Sequence, residues 1–159
     1  MTFDTDPDEF IRTYGALFEH SPWVVMRAAA RLPLGDVYNG LMAVVHEATP
    51  DEQLTLIRAH PELAGKAAID RTLTAESAAE QASAGLDRLT PQEYDRFHAL
   101  NAAYGERFGF PFIICVRLTD KAGILAAMEE RLANDRDTEI ATAIAEIGKI
   151  VRLRLKDMA

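Results

Sequence analysis

The fold is decided by residues 90–109, which read TPQEYDRFHALNAAYGERFG. Thr90 is a good helix cap, Pro91 suits the first helical position, and Glu93 completes a capping box. The large apolar side chains that follow recur every three or four residues, which is the spacing of one helical face. They are Tyr94, Phe97, Leu100, Tyr104 and Phe108. This stretch therefore predicts a long helix with one apolar face.

The same start signal occurs three more times along the chain, where a capping residue precedes a proline. The pairs are Asp6-Pro7, Ser21-Pro22 and Thr49-Pro50. Glu9 and Glu52 stand three residues after the first and third of these caps, as in a capping box. Period-2 alternation, which is typical of strands, is scarce. We therefore expect an all-α fold, a single compact multi-helix domain spanning residues 1–159.

The composition fits one domain with a core of its own. The chain has 159 residues, 48% of them hydrophobic, which is enough to form a core without disulfides or metal. Its net charge of -8 and its lack of clustered Lys and Arg argue against nucleic-acid binding. No run approaches the ~20 apolar residues of a membrane span, and the N-terminus has no apolar signal core. We expect a cytoplasmic protein whose partner is a small molecule or another protein.

A histidine stands where one helix must end, in the run HPELAG at residues 60–65. Pro61 pushes His60 toward extended geometry, so the helix predicted over residues 51–59 ends there. With an ordinary pKa of about 6.5, an imidazole can give or take a proton near neutrality, which makes His60 a candidate acid or base. The alternative is a histidine that caps the helix C-terminus, where the helix dipole favours it.

Residues 75–86 form a predicted helix that is rich in alanine and begins after Thr74. Ser77, Glu80 and Gln81 stand at i, i+3 and i+4, which puts a hydroxyl, a carboxylate and an amide on one face. Between small residues, such a face can admit a ligand or another backbone closely. The alternative is the solvated polar face of an ordinary surface helix.

The last helix, predicted over residues 138–157, carries a candidate anion-binding arginine. Its apolar residues form one arc at helical spacing, and Arg154 lies at the edge of this arc whereas Arg152 points away. A guanidinium there cannot lose its charge and needs a buried carboxylate or an anionic ligand. The alternative is a side chain that reaches past the helix end to solvent. Arg117 is a second candidate for the same role.

The run FIICV at residues 112–116 is the one strand-like stretch. It follows Gly109 and Pro111, so it is either a short extended segment or the start of a buried helix. Cys115 is the only cysteine of the chain, which excludes an internal disulfide and a cysteine-based metal cluster, and it fits a small buried hydrophobe. The sequence contains no motif of zinc proteases, phosphate loops or serine hydrolases, and no spacing that suggests a metal site.

Taken together, five motifs resemble those of the OHCU decarboxylases, and the resemblance spans nearly the whole chain. The motifs are SPWV at residues 21–24, HPELAG at 60–65, SAAEQ at 77–81, FGFPFI at 108–113 and LRL at 153–155. Members of this family are all-helical, cofactor-free and usually homodimeric. They decarboxylate 2-oxo-4-hydroxy-4-carboxy-5-ureidoimidazoline (OHCU) to (S)-allantoin in urate degradation.

The resemblance also implies roles for particular residues. His60 would be the catalytic acid or base, and Glu80 its partner. The substrate contacts would come from Pro61, Ser77, Gln81, Phe112, Ile113, Ile114, Cys115, Val116 and Arg154. Arg117 remains the alternative to Arg154. The resemblance implies a carboxy-lyase that acts on a small molecule as a homodimer without a cofactor, while the motifs and the composition predict no metal and no membrane partner.

Two other interpretations of the sequence stay open. The protein could be a helical interaction module without activity, in which the same polar residues are caps and interface contacts. It could also be an enzyme that acts on a related ureido or imidazolone ring. The first alternative is tested by whether the protein speeds the gain of optical activity in a solution of fresh substrate.

Overall fold

The computed structural model describes residues 6–65 and 73–158, and within them it contains eight α-helices, one 3-10 helix and no β-strand. The all-α prediction is confirmed. The helices are α1 (Pro7–Tyr14), α2 (Trp23–Ala29), α3 (Val37–Glu47), α4 (Pro50–Arg58), α5 (Ala75–Ser83), α6 (Pro91–Phe108), α7 (Lys121–Arg131) and α8 (Arg136–Met158). The 3-10 helix, η1 (Val116–Leu118), lies between α6 and α7 in the chain.

Three of the four predicted helix starts are formed by the predicted caps. The Asp6 carboxylate accepts hydrogen bonds from two first-turn amides of α1. Thr49 and Thr90 form complete capping boxes with Glu52 and Glu93, in which each side chain accepts a bond from the other residue's amide. A cap of this kind stabilises a helix by about 1 kcal/mol. These starts are therefore set by local sequence.

The prediction that Ser21 caps a helix is wrong. α2 begins at Trp23, its N-cap position is Pro22, and no side chain caps it. Ser21 is buried, and its amide donates a hydrogen bond to the Phe18 carbonyl at 3.1 Å. Because Pro22 itself adopts helical angles and has no side-chain acceptor, the hydroxyl of Ser21 stands one residue too early to cap the helix.

Other helix boundaries differ from the predicted ones by a few residues. α4 ends at Arg58 rather than at residue 59, and α8 is longer than predicted at both ends. α5 ends at Ser83 rather than at residue 86. The chain leaves α5 through Gly85, whose φ of 82° lies in the left-handed region that glycine adopts without strain. Glycine therefore ends this helix earlier than the alanine-rich pattern predicts.

The chain clusters into two compact units. In the first, Met1–Ala59 with Gly148–Ala159, α1 packs against α2 and α2 against α3. In the second, His60–Ile147, α5 packs against η1 and α6 against α7. Fully burying one large apolar side chain contributes ~1.5–3 kcal/mol. The largest such side chains are Phe10, Phe18, Leu41, Leu56 and Ile57 in the first unit and Tyr104, Phe97, Phe112, Ile124, Met128 and Ile147 in the second.

The described residues include no membrane-spanning helix and no cluster of metal ligands. None of the helices there is both long and apolar enough to cross a bilayer. In the same ranges, no three His, Cys, Asp or Glu side chains are grouped as the ligands of a metal ion would be.

Candidate active site

The histidine loop, residues 60–65, follows directly from the end of α4. That helix ends at Arg58 with Ala59 in the C-cap position, as the proline at 61 predicts. The side chain of His60 is half-buried. A Cβ atom at Gly65 would lie 2.8 Å from the Cβ of Glu62, so the loop turns too tightly there for any other residue. The loop thus leaves the imidazole accessible on a chain with little freedom.

Two buried side chains hold the far end of the histidine loop. The Ala64 amide donates a hydrogen bond to Oε1 of Gln81 in α5 at 3.1 Å. Nδ2 of Asn101 in α6 donates to the Leu63 carbonyl at 2.9 Å. Ala64 has a φ of 53°, a left-handed conformation that is costly for a residue with a Cβ. The two hydrogen bonds therefore fix a loop conformation that local preference alone does not favour.

The polar face of α5 points inward. Thr74 caps the helix, with its Oγ1 accepting a hydrogen bond from the Ser77 amide at 3.2 Å. Ser77 and Gln81 are buried and Glu80 is half-buried, whereas Ala78 on another face is exposed. The alternative of a solvated polar face is therefore wrong for Ser77 and Gln81.

The 112–116 segment is extended, and it turns into η1 at Val116. Four of its five residues are buried, and Ile114 is half-buried. The Ile113 carbonyl accepts a hydrogen bond from Nη1 of Arg131 at 2.7 Å. The Cys115 amide donates one to Oε1 of Glu146 at 3.0 Å. Of the two predicted alternatives, the short extended segment is the correct one.

The pKa of the Cys115 thiol is raised by its surroundings in this segment. Burial raises its pKa, and the charges of Glu146 and Glu80 raise it further, while a hydrogen bond from the Arg117 amide opposes them. The thiol is therefore protonated at neutral pH, which fits the predicted buried hydrophobe.

A buried polar cluster lies behind the 112–116 segment. Glu139 accepts hydrogen bonds from Nε of Arg131 at 2.9 Å, from the Tyr104 hydroxyl at 2.5 Å and from Nδ2 of Asn134 at 2.9 Å. Glu139 has no exposed surface and Arg131 is 9% exposed. Burial, together with the hydrogen bond to Glu139, raises the pKa of Tyr104 far above its ordinary value. The tyrosine is therefore a permanent donor to the carboxylate.

Sequence reasoning missed the buried glutamates of α8, although a signal for them exists. Glu139 and Glu146 share helical spacing with Ala143, at i, i+7 and i+4, and all three are buried. When acidic residues recur on the same helical face as a small apolar residue, the pattern indicates buried carboxylates that have hydrogen-bond partners in other elements. The sequence does not identify the partners, because Arg131 and the Cys115 amide lie in other elements.

Arg154 is buried, as its position at the edge of the apolar arc predicts. Its Nη1 donates to the Leu17 carbonyl at 3.0 Å, and its Nη2 lies 3.5 Å from Oε2 of Glu19. Arg154 is 6% exposed and Glu19 is 2% exposed. The alternative of a side chain extended to solvent is therefore wrong. Arg117, the second candidate, is exposed.

The structure connects most of the predicted site residues within the unit His60–Ile147. The Ala64–Gln81 hydrogen bond joins the histidine loop to α5, and α5 packs against η1, which begins at Val116. Arg154 belongs to the other unit, with Gly148–Ala159. The histidine loop, α5 and the 112–116 segment are thus connected to one another within this unit.

Comparison with known families identifies this arrangement. The family model described as OHCU decarboxylase matches residues 4–156. The chain belongs to the OHCU decarboxylase family. The resemblance drawn from the five sequence motifs is therefore confirmed.

Curated members of the OHCU decarboxylase family are similar to this chain over nearly its whole length. A 2-oxo-4-hydroxy-4-carboxy-5-ureidoimidazoline decarboxylase of Haloferax volcanii is 42% identical, covering 96% of this chain and 90% of that protein. The enzyme of that name from Mus musculus is 37% identical, covering 96% and 88%. A uric acid degradation bifunctional protein of Bacillus subtilis is 40% identical, with 96% of this chain matching 31% of that protein.

Solved structures show the same OHCU decarboxylase fold. A crystal structure of (S)-allantoin synthase superposes with a TM-score of 0.71 at 28% identity, covering 96% of this chain and 50% of that one. A crystal structure of OHCU decarboxylase in the presence of (S)-allantoin superposes with a TM-score of 0.68, covering 96% of this chain and 97% of that one. At 20% identity, the second likeness concerns the fold alone.

Proposed function

We propose that this protein is a carboxy-lyase that decarboxylates OHCU to (S)-allantoin in urate degradation. Family membership supplies the reaction. The observation that carries the proposal at the level of residues is the buried Ala64–Gln81 hydrogen bond. It fixes the loop that bears His60 to the helix that bears Ser77, Glu80 and Gln81. This is the set of groups that the reaction needs near one another.

His60 is the proton carrier in this proposal, and Glu80 is the carboxylate that works with it. The imidazole is half-buried just after the end of α4, where Pro61 has a fixed φ and restricts the backbone of His60. Glu80 is half-buried on the inward face of α5, so both groups are partly withdrawn from water. A carboxylate that orients an imidazole stabilises its protonated form and its orientation during proton transfer.

Gln81 has a divided role in substrate binding. Its Oε1 accepts the Ala64 amide, so its Nε2 is the group that we assign to the substrate. Ser77 adds a buried hydroxyl one turn earlier on the same face. Pro61, on the histidine loop, is a further proposed substrate contact. Together these side chains can recognise the carbonyl and ureido groups of a small heterocycle.

The 112–116 segment, made of Phe112, Ile113, Ile114, Cys115 and Val116, supplies the other wall of the proposed site. The Cys115 amide already donates to Glu146, so that residue contributes lining rather than a donor. Ile114 is the half-buried member of the segment, and its peptide groups are the ones that we assign to the substrate.

Arg154 is the proposed contact for the anionic oxygens of the substrate. The Leu17 carbonyl and the Glu19 carboxylate hold its guanidinium, which has five donor hydrogens in a rigid plane. A guanidinium that the protein already holds in place loses little side-chain entropy when it binds an anion. Because Arg117 is exposed, Arg154 is the better candidate.

The proposed chemistry uses an electron sink that is part of the substrate. The bond between the ring carbon and the carboxylate breaks, CO2 leaves, and the electron pair is delocalised into the adjacent C=N of the ring. The resulting intermediate has an enol C=C between the two ring carbons. His60 then delivers a proton from one side to the neighbouring ring carbon, which bears the ureido group, while the hydroxyl on the first carbon loses its proton and becomes the ring carbonyl; this gives one enantiomer. Since the ring accepts the electrons, the proposal includes no cofactor. The protein contributes orientation and charge stabilisation.

The proposal is tested by following fresh OHCU by circular dichroism with and without the protein. We expect the signal of (S)-allantoin to appear faster with the protein than without it. If the protein changes neither the rate nor the sign of the signal, the proposed function is wrong and an interaction module becomes the better account. Related ureido and imidazolone compounds, tested in parallel, establish the preferred ring.

The proposal also includes a cytoplasmic homodimer whose protomer is one domain over residues 1–159. The family resemblance and the acidic composition support it. Light scattering in solution is then expected to give roughly twice the protomer mass of 17.6 kDa. A mass equal to one protomer contradicts the dimer, and two separate calorimetric transitions contradict the single domain.

A further inference from the structure

We infer that Arg131 and Glu146 are positioning residues that orient the two peptide groups of Ile114 for the substrate. The inference rests on the proposed function and deepens it. Arg131 ends α7 and Glu146 lies in α8, and neither belongs to the motifs that carry the family resemblance. Each side chain holds one backbone group of the 112–116 segment, on either side of Ile114.

The first holding contact fixes the peptide group between Ile113 and Ile114. A trans peptide is planar, and its C=O and N–H point in opposite directions. Nη1 of Arg131 holds the Ile113 carbonyl oxygen at 2.7 Å. The Ile114 N–H, which belongs to the same peptide plane, is therefore directed away from Arg131.

The second holding contact fixes the peptide group between Ile114 and Cys115, this time through its N–H. Oε1 of Glu146 accepts the Cys115 N–H at 3.0 Å. The Ile114 carbonyl shares this plane, so it is directed away from Glu146. Ile114 thus has its N–H and its C=O oriented by side chains that bind its two neighbours. It is also the one residue of the five in the segment that is not fully buried.

Arg131 is itself held in place from behind. Its Nε donates to Glu139, which also accepts the hydroxyl of Tyr104. Its guanidinium carbon lies 4.2 Å from the centroid of the Phe112 ring, and the Tyr104 ring meets the Phe112 ring edge-on at 5.3 Å. The contacts form a closed ring of four residues, so Phe112 and the Ile113 carbonyl are constrained by the same guanidinium.

The Arg131–Glu139 pair orients the 112–116 segment more than it stabilises the fold. A buried ion pair is often no more stabilising than apolar residues of the same volume, so Arg131 and Glu139 do not add stability by their charge alone. In addition, Nη2 of Arg131 is buried without a hydrogen-bond partner among the described residues. A fully satisfied buried network specifies one arrangement, and an unsatisfied donor costs stability. The stability lost at the unpaired Nη2 of Arg131 is consistent with a guanidinium whose orientation is set by the need to hold the Ile113 carbonyl.

The test compares two neutral replacements of Glu146. Glu146→Gln keeps an oxygen that can accept the Cys115 N–H, whereas Glu146→Met keeps the size and loses the acceptor. We expect Glu146→Met to raise KM for OHCU about tenfold, as the loss of an oriented hydrogen bond does, and Glu146→Gln to restore KM to within about threefold of wild type. Equal KM values for the two variants contradict the inference.

Arg131→Lys and Arg136→Met provide the matched arginine pair. Lys keeps the charge at 131 but cannot bind Glu139 and the Ile113 carbonyl together as the planar fork does, so KM is expected to rise. Arg136 also donates to a backbone carbonyl, that of Phe108 at 3.1 Å, outside the 112–116 segment. Its loss is expected to lower thermal stability while leaving KM unchanged. An increase in KM of the same size in both variants indicates a general structural effect and overturns the inference.

An NMR titration of the wild-type protein tests the inference without relying on the folding of a variant. The backbone amide resonances of Ile114 and Cys115 are followed by NMR as (S)-allantoin is added. We expect the Ile114 amide to shift with saturation and the Cys115 amide, bound to Glu146, to shift less. An unmoved Ile114 amide overturns the inference. If the wild-type protein decarboxylates OHCU while Ile114 does not respond, the inference alone fails; if it has no activity, the proposed function fails.

Discussion

Oε1 of Gln81 accepts the amide hydrogen of Ala64 at 3.1 Å, and both residues are buried. This one hydrogen bond joins the loop that presents His60 to the helix that carries Glu80. It also divides the Gln81 side chain into an oxygen with a structural role and a nitrogen with a proposed substrate role. The two roles can be separated by mutation.

Gln81→Leu removes both roles, and Gln81→Glu removes only the second. In the leucine variant the buried Ala64 amide loses its acceptor, so we expect the free energy of unfolding to fall by about 1–3 kcal/mol. In the glutamate variant an oxygen remains for Ala64 but the donor is lost, so KM is expected to rise with a smaller loss of stability. Denaturant unfolding and steady-state kinetics measure both. A normal KM in the glutamate variant shows that Gln81 is structural only.

Glu80→Gln tests the proposed partner of His60. The amide keeps the size of the side chain but cannot stabilise a protonated imidazole, so we expect turnover to fall by about tenfold or more. Because Glu80 is half-buried, the melting temperature is expected to change little. Glu76→Gln is the matched control, since Glu76 is exposed on the same helix and its loss is expected to leave turnover unchanged. A large loss of stability with normal turnover makes Glu80 a structural carboxylate.

Arg154→Met tests the proposed anion contact, but alone it leaves Glu19 charged and buried. Breaking a buried pair in this way typically costs about 3–5 kcal/mol. The double variant Glu19→Gln with Arg154→Met removes both charges, so we expect it to recover part of the lost stability without recovering affinity for substrate. Thermal unfolding and binding of (S)-allantoin distinguish the two effects. Unchanged affinity in the folded double variant excludes Arg154 as a contact.

Glu52 is expected to contribute to the acid sensitivity of the fold. The hydrogen bond from Arg27 and the Thr49 amide lower its pKa from 4.5 to about 2. A carboxyl whose pKa is lower in the folded state stabilises that state above its ordinary pKa, and this contribution is lost as the pH falls from 4.5 toward 2. The melting temperatures of wild type and Glu52→Gln should therefore differ at pH 6 and converge near pH 2. A difference that is the same at both pH values contradicts the assignment.

The helices were predictable wherever their signals are local. Thr49 and Thr90 find their partners three residues away, so their capping boxes are visible in the sequence. The Ser21 signal is also local, but it is misleading. Whether the N-cap is the serine or Pro22 depends on backbone angles that the local composition does not specify. The burial of Arg154 was also predictable, since it follows from the position of Arg154 on the arc of its helix.

The partners of the buried charges were not predictable, because they depend on contacts between distant parts of the chain. Arg154 binds the carbonyl of Leu17, which is 137 positions away. Glu146 binds the amide of Cys115, a group that every residue except proline has and that leaves no mark in the sequence. Helical spacing indicates that a charged side chain is buried, but its hydrogen-bond partners depend on how distant parts of the chain pack together.

His60 carries the proton in the proposed reaction, and one rate measurement tests this role. Fresh OHCU is followed by circular dichroism with wild type, with His60→Asn and with His98→Asn, whose histidine is exposed on α6. Proton transfer by a positioned side chain contributes about 10²–10⁴-fold, so we expect His60→Asn to approach the spontaneous rate while remaining folded, and His98→Asn to match wild type. A His60→Asn protein that forms (S)-allantoin at nearly the wild-type rate would contradict the account.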